Sequence, residues 1–136
     1  MAAPIIELRN VTFGFNGRQV LNGVSMTVEE GTTRVILGAS GAGKSTILKL
    51  ILGLLVPQAG EVLVLGRDVA RLKGRELREL RHSIGMVFQG GALFDSLTVG
   101  ENVGYCPREN HNVSLETVRA RVRRRFRGWA WAMSLI

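Results

Sequence analysis

Residues 38–46 read GASGAGKST, and this stretch decides the fold. It fits the pattern G-x-x-x-x-G-K-[ST] at every position. Before it, the short apolar run Thr33–Leu37 has the composition of a buried parallel strand. After it, Lys44–Leu52 has apolar residues at helical spacing, and Gly53 and Pro57 end that pattern. A strand, a glycine-rich turn and a helix in this order predict a phosphate-binding loop.

The residue types in the stretch suit the chemistry of phosphate binding. Glycine lets the backbone pass close to phosphate oxygens, and successive N–H groups at a helix N-terminus bind anions. Lys44 supplies a positive charge for the β- and γ-phosphates, and Ser45 supplies a hydroxyl for Mg²⁺. We therefore expect the chain to bind ATP with Mg²⁺, and GTP more weakly. The predicted phosphate-binding residues are Gly38, Ala39, Ser40, Gly41, Ala42, Gly43, Lys44, Ser45 and Thr46.

The rest of the chain predicts an α/β fold, with an antiparallel β-region in the N-terminal third and a mainly parallel sheet around the loop. Alternating apolar residues predict two N-terminal strands, and Asn16-Gly17 between them predicts a hairpin turn. Thr98 begins a capping box with Glu101, which predicts a helix start. The predicted strands are 5–15, 19–28, 33–37, 61–65 and 84–88, and the predicted helices are 44–52, 74–82, 98–103 and one that starts at 114.

Residues 5–118 resemble the ATP-binding subunit of ATP-binding cassette (ABC) transporters. The resemblance rests on IELRNVTFGF (6–15), on the segment from Val20 to Val69 that contains the loop, and on IGMVFQGGALFDSLTVGENV (84–103). Within the last segment, residues 88–103 are similar to the ATPases of phospholipid-trafficking transporters, also described as toluene-tolerance or organic-solvent-resistance systems. The resemblance implies a P-loop ATPase fold and ATP hydrolysis coupled to transport.

The resemblance also implies roles for two residues outside the loop. Phe15 matches the aromatic residue that stacks on adenine, although an aromatic residue on a strand face can instead belong to the core. Gln89 matches the glutamine that approaches Mg²⁺ and senses the γ-phosphate, although it can instead be a polar residue that ends a strand. The implied partners are transmembrane permease subunits and a second ATPase subunit. The implied location is cytoplasmic, on the inner face of the cell membrane, with membrane contact only through those partners.

Several motifs of the family are missing from the 136 residues. The sequence has no LSGG-type signature and no run of four apolar residues followed by Asp-Glu. Neither His82 nor His111 matches the family's switch histidine. No complete catalytic set is therefore expected, and the chain alone should not hydrolyse ATP. The alternative that remains open is a non-hydrolysing nucleotide-binding fragment or regulator. A P-loop kinase is a further alternative, which the Gln89 segment opposes.

The net positive charge of the chain comes almost entirely from its end. Residues 1–118 hold 12 of the 18 basic residues and all 11 acidic residues, and Arg119–Arg127 holds the other six arginines. A nucleic-acid partner is therefore not expected for the domain. We expect residues 1–118 to be a partial ABC ATPase domain, truncated before the helical subdomain. Residues 119–136 form an arginine-rich tail for which a frameshift near 119–124 is the expected origin. The alternative is a genuine basic, amphipathic end that binds a membrane surface or a partner.

Overall fold

The computed structural model describes residues 4–109 and 113–127 of the chain. It contains two compact units, residues 1–86 and residues 87–136, and each is described by itself. His111 and the last nine residues of the predicted tail lie outside the described residues.

The first unit begins with the predicted β-hairpin. Strand β1 is Ile6–Phe15 and strand β2 is Arg18–Val28, and Phe15 pairs with Arg18 across a two-residue loop. The loop residues Asn16 and Gly17 have φ values of 48° and 79°, which is the geometry of a type I′ turn. The turn predicted from Asn16-Gly17 is confirmed.

The sheet has four strands in the order β2-β1-β3-β4, where β3 is Ala59–Val64 and β4 is Arg67–Asp68. All of its pairings are antiparallel. Strand β1 lies in the middle and pairs with β3 from Ile6 opposite Val64 to Thr12 opposite Ala59. The N-terminal antiparallel region is therefore larger than predicted, because β3 joins it.

Two helices and one short 3-10 turn complete this unit. Helix α1 is Lys44–Ile51, the turn is Val69–Arg71, and helix α2 is Gly74–His82. Helix α1 packs against β3, so the helix that follows the glycine-rich stretch rests on the sheet. The buried core is formed by Leu8, Val11, Phe13, Leu21, Ile47, Leu50, Ile51, Val62, Val64, Val69 and Leu80.

The two predicted parallel strands, Thr33–Leu37 and Ile84–Phe88, are not strands in the described part of the chain. An apolar segment becomes a strand only when a neighbour pairs with its backbone N–H and C=O groups. No neighbouring strand pairs with either segment among the described residues. Side chains that would be buried in a parallel sheet are exposed here, by 87% at Leu37 and 93% at Val87. The prediction of strands was wrong at both places for this reason.

The described residues of the second unit contain two helices, α3 at Val99–Glu109 and α4 at Leu115–Arg127. The predicted capping box is confirmed: the backbone N–H and the hydroxyl of Thr98 both donate to Glu101 Oε2, at 2.8 and 2.7 Å. Helix α3 continues beyond the predicted end at Val103. A Cβ on its Gly104 would lie 3.1 Å from Val118 Cγ1, so the two helices approach closely there.

The α/β class predicted from the sequence is confirmed, with an antiparallel β-region and surrounding helices. Within the described residues, no helix has both the length and the apolar composition that crossing a membrane requires.

Candidate nucleotide-binding site

The glycine-rich stretch forms a tight loop that leads directly into α1. Gly41 and Gly43 have φ values of 80° and 87°, a left-handed conformation that residues with a Cβ adopt only at a cost. The backbone N–H of Ala42 donates to Ala39 O at 3.2 Å and closes a turn inside the loop. Of the sequence-predicted residues, 38–43 thus form the loop, and 44–46 form the first turn of α1.

The N-terminus of α1 is open to an anion. Its N-cap residue is Gly43, which has no side chain to accept a hydrogen bond from the first N–H groups, and the first turn holds no acidic residue. These unpaired N–H groups and the helix dipole together favour negative charge at this point. A phosphate group therefore fits the observed backbone.

Strand β2 holds the start of α1 in position. A Cβ built on Gly43 would lie 2.9 Å from Leu21 Cδ2 and 3.0 Å from Val20 Cγ1, so the backbone passes directly over these side chains. Thr46 and Ile47, in the first turn of α1, are both buried. The contacts with β2 and the burial of the first turn therefore fix the start of α1 against the sheet.

Lys44 folds back over the loop. Its Nζ donates to the carbonyl oxygens of Gly38 and Ala39, each at 2.7 Å. An ammonium group has three N–H donors, so one remains for a phosphate oxygen. Among the described residues, no acidic side chain forms an ion pair with Lys44. Its positive charge is therefore available to a nucleotide.

Ser45 provides the hydroxyl that a metal ion can reach. Ser45 is exposed, whereas Thr46 is only 8% exposed, so the two neighbouring hydroxyls face different surroundings. The described part of the chain has no group of three or more His, Cys, Asp or Glu residues that could hold a metal ion. Mg²⁺ that arrives with nucleotide phosphates keeps few protein ligands, so one hydroxyl at Ser45 is compatible with it.

Phe15 lies at the end of β1, next to the hairpin turn. It is 47% exposed, and its ring meets the buried ring of Phe13 edge to face, with centroids 4.8 Å apart. Phe13 pairs with Leu21 of β2, and the Leu21 side chain packs against Gly43 at the start of α1. Phe15 therefore lies two residues along β1 from the strand pair that supports the loop. This exposure differs from that of a core aromatic residue. The adenine-stacking role nevertheless remains a prediction.

Gln89 belongs to the second unit. It is exposed and lies in a turn that Gly91 closes by donating its N–H to Phe88 O at 3.0 Å. Its predicted role toward Mg²⁺ and the γ-phosphate remains a prediction.

The sequence did not indicate Arg81, which holds the far end of α1. Its guanidinium donates to Leu52 O and Gly53 O, both at 2.9 Å, where α1 ends. Cations are favoured at the C-terminal carbonyls of a helix, but the contact spans 28 and 29 residues of sequence. No local pattern could have predicted it.

Comparison with known proteins agrees with the loop geometry. The ABC transporter family matches residues 21–132, a range that includes the loop, Gln89 and α4. This chain belongs to the ABC transporter family. The family predicted from the sequence is confirmed.

Two relatives show how widely the substrates vary within this family. The chain is 41% identical over 119 residues to the intermembrane phospholipid transport system ATP-binding protein MlaF of Haemophilus influenzae. The aligned residues cover 88% of this chain and 45% of the relative. It is 45% identical over 100 residues to the phosphonates import ATP-binding protein PhnC of Treponema denticola. Here the aligned residues cover 73% of this chain and 39% of the relative. The chain thus spans less than half the length of either relative.

A solved structure gives the same fold. An ATP-binding cassette in a dimeric, post-hydrolysis state with ADP and Pi bound is 34% identical, with a TM-score of 0.72 over 86% of this chain and 53% of that one. Over the aligned part, this ABC family member therefore has the fold of that ATP-binding cassette.

Proposed function

We propose that this chain binds ATP with Mg²⁺ through residues 38–46, as the nucleotide-binding part of an ABC transporter subunit. The observation that carries the proposal is the start of α1. A left-handed Gly43, an uncapped helix N-terminus and the Lys44 ammonium all meet at one loop.

Each part of the loop has a distinct task in this proposal. The N–H groups of the loop bind phosphate oxygens, and Lys44 adds a charge-assisted hydrogen bond to the β- or γ-phosphate. Ser45 supplies a hydroxyl for the Mg²⁺ that accompanies the phosphates, and Phe15 stacks on the adenine. For Gln89, a role toward Mg²⁺ is proposed from the family resemblance alone. The Mg²⁺ ion neutralises phosphate charge when it is bound.

Calorimetric titration of the full chain with Mg-ATP and Mg-GTP tests this proposal. Phe15→Ala should weaken ATP binding by about 1–3 kcal/mol, the range of ring stacking on a base. Phe94→Ala is the matched control, because Phe94 is exposed to the same extent, 46% against 47%, and lies in the second unit. Equal losses in the two variants would contradict adenine stacking by Phe15, and no binding of Mg-ATP at all would contradict the proposed site.

For the whole protein, we propose that ATP binding and hydrolysis drive transport together with permease subunits and a second ATPase subunit. The location would be the cytoplasmic face of the cell membrane. Phospholipid is the proposed substrate, supported by the identity with MlaF over most of this chain and by the similarity of residues 88–103 to phospholipid-trafficking ATPases.

The substrate proposal is testable in the source organism. Deleting the gene should change the phospholipid distribution between membranes, and a wild-type copy should restore it while a Lys44→Ala copy should not. An unchanged phospholipid distribution together with lost uptake of phosphonate or another small solute would contradict phospholipid as the substrate.

A second candidate function is nucleotide binding without hydrolysis by these 136 residues alone. The observation that favours it is the sequence, which has no apolar run followed by Asp-Glu and no LSGG-type signature. Without an acidic residue to orient water beside the γ-phosphate, bound ATP should stay intact.

A further inference from the structure

The chain contains two Asn-Gly pairs, and both lie in the hairpin of the first unit. Asn16-Gly17 forms the turn between β1 and β2, whereas Asn22-Gly23 lies within β2. An asparagine that precedes glycine can lose its side-chain amide, because glycine has no Cβ to shield the backbone nitrogen that attacks it. The sequence gives the two pairs the same chemistry, but the structure gives them different surroundings.

The backbone nitrogen of Gly17 is accessible for such an attack. Gly17 belongs to the two-residue turn, and within the described part of the chain its N–H donates to no acceptor. A Cβ built on Gly17 would meet no atom within 4 Å, so the space around it is open. Asn16 is exposed, and its carboxamide forms no hydrogen bond with a described residue. The carboxamide of Asn16 can therefore turn toward the Gly17 nitrogen without losing a contact.

The backbone nitrogen of Gly23 is held in place. Its N–H donates to the hydroxyl oxygen of Thr12, Oγ1, at 3.1 Å. The strand that contains Asn22 and Gly23 is paired with β1 on both sides of them, at Leu21 and at Val24. Attack on the Asn22 side chain would break the bond to Thr12 and bend a paired strand. The fold therefore protects the second Asn-Gly pair and leaves the first one open.

We propose that Asn16 is a site of spontaneous deamidation and that Asn22 is protected from this modification. The Gly17 nitrogen gives up its proton and attacks Asn16 Cγ, so that a new C–N bond closes a succinimide ring. The bond between Asn16 Cγ and Nδ2 breaks, and Nδ2 leaves with that proton as ammonia. Water then opens the ring at either of its two carbonyl groups. The products are aspartate and isoaspartate at position 16.

Either product places a carboxylate directly after Phe15 in the chain. This carboxylate is ionised at neutral pH, because the ordinary pKa of aspartate is about 3.9. Isoaspartate also adds one carbon atom to the backbone, which lengthens the two-residue loop between the paired residues Phe15 and Arg18. Negative charge and a displaced Phe15 both oppose the binding of ATP. This effect on ATP rests on the proposed function, whereas the deamidation of Asn16 does not.

Peptide mass spectrometry of the full chain, incubated in warm neutral buffer, tests the proposal. Trypsin cleaves after arginine, so Asn16 lies in the peptide Asn10–Arg18 and Asn22 lies in the peptide Gln19–Arg34. Conversion of the amide to an acid should be faster at Asn16 by at least about two- to tenfold, the factor that one hydrogen bond contributes. Equal rates at the two asparagines, or a faster rate at Asn22, would overturn the proposal.

Two controls separate the effect of the fold from that of the sequence. In concentrated urea the two rates should become similar, because both asparagines precede glycine and the hairpin is lost. An equally large difference in urea would overturn the structural explanation. Thr12→Val removes the hydroxyl that accepts from the Gly23 N–H, so it should speed deamidation at Asn22 and leave the rate at Asn16 unchanged. An unchanged rate at Asn22 would overturn the protective role of that hydrogen bond.

The variant Asn16→Gly tests the effect on ATP. It has no amide to lose at this position, and Gly-Gly also favours a type I′ turn. After the same incubation, the wild-type chain should bind Mg-ATP more weakly than before, while Asn16→Gly should keep its affinity. Equal losses in both would overturn the link between Asn16 and ATP. Failure of the fresh chain to bind Mg-ATP would contradict the proposed function alone, because the peptide masses measure deamidation without nucleotide.

Discussion

Replacing Lys44 with alanine removes the charged side chain of the phosphate-binding loop. In the structure its Nζ bonds two loop carbonyls at 2.7 Å, which leaves one N–H for a phosphate oxygen. A hydrogen bond to a charged group contributes about 1.5–3 kcal/mol, which corresponds to roughly 10- to 150-fold in the dissociation constant. Loss of the two carbonyl contacts also loosens the loop. We therefore expect ATP affinity to fall by at least about tenfold.

Isothermal titration calorimetry with Mg-ATP measures this effect, and the same helix offers a control. Lys49 is exposed, lies in the last turn of α1 and forms no ion pair with a described residue. Lys49→Ala removes the same charge at the opposite end of the helix and should leave the affinity nearly unchanged. Comparing the two variants separates phosphate contact from the general loss of positive charge.

An unchanged affinity in Lys44→Ala, with the fold preserved by circular dichroism, would refute the reasoning. It would show that nucleotide binds elsewhere on the chain. Equal losses in Lys44→Ala and Lys49→Ala would instead refute the specific contact, because a long-range charge effect would explain both.

Three further predictions concern catalysis, the helix start and folding. The chain alone should release no phosphate from ATP above background, and Lys44-dependent turnover near 1 s⁻¹ or faster, the low end of typical enzymes, would contradict this. Gly43→Ala should lower the melting temperature and weaken ATP binding, because φ at residue 43 is 87° and the new Cβ would lie 2.9 Å from Leu21 Cδ2. An unchanged melting temperature and an unchanged ATP affinity would contradict the packing argument. The isolated chain should aggregate on expression, since Val35 and Leu37 are 69% and 87% exposed in a segment of strand-like composition, whereas a monomer with one sharp melt that Mg-ATP raises would show that it folds alone.

Local patterns predicted the elements whose causes lie within a few residues. The hairpin turn follows from Asn16-Gly17, since those residues tolerate the positive φ that a type I′ turn needs. The start of α3 follows from Thr98 and Glu101, which bond each other within one turn. Helix α2 was predicted at its observed bounds, Gly74–His82.

The phosphate-binding loop was the strongest prediction of the site for the same reason. Its glycines, Lys44 and the start of α1 are contiguous, so nine residues of sequence contain the whole predicted phosphate-binding site. The roles of Phe15 and Gln89 came from the family resemblance and not from local chemistry. They remain predictions, because base and metal contacts depend on residues far apart in the sequence.

By itself, the sequence determined the family, the loop and the local turns and caps, because each depends on residues close together along the chain. Only the tertiary structure decided which apolar segments become strands. Ala59–Val64 pairs with β1 and is part of the sheet. Thr33–Leu37 and Ile84–Phe88 are also apolar, but no strand among the described residues pairs with them. The tertiary structure also brought Arg81 to the end of α1. Strand pairing and such long-range hydrogen bonds need a second segment at the right place, and no pattern within one segment specifies it.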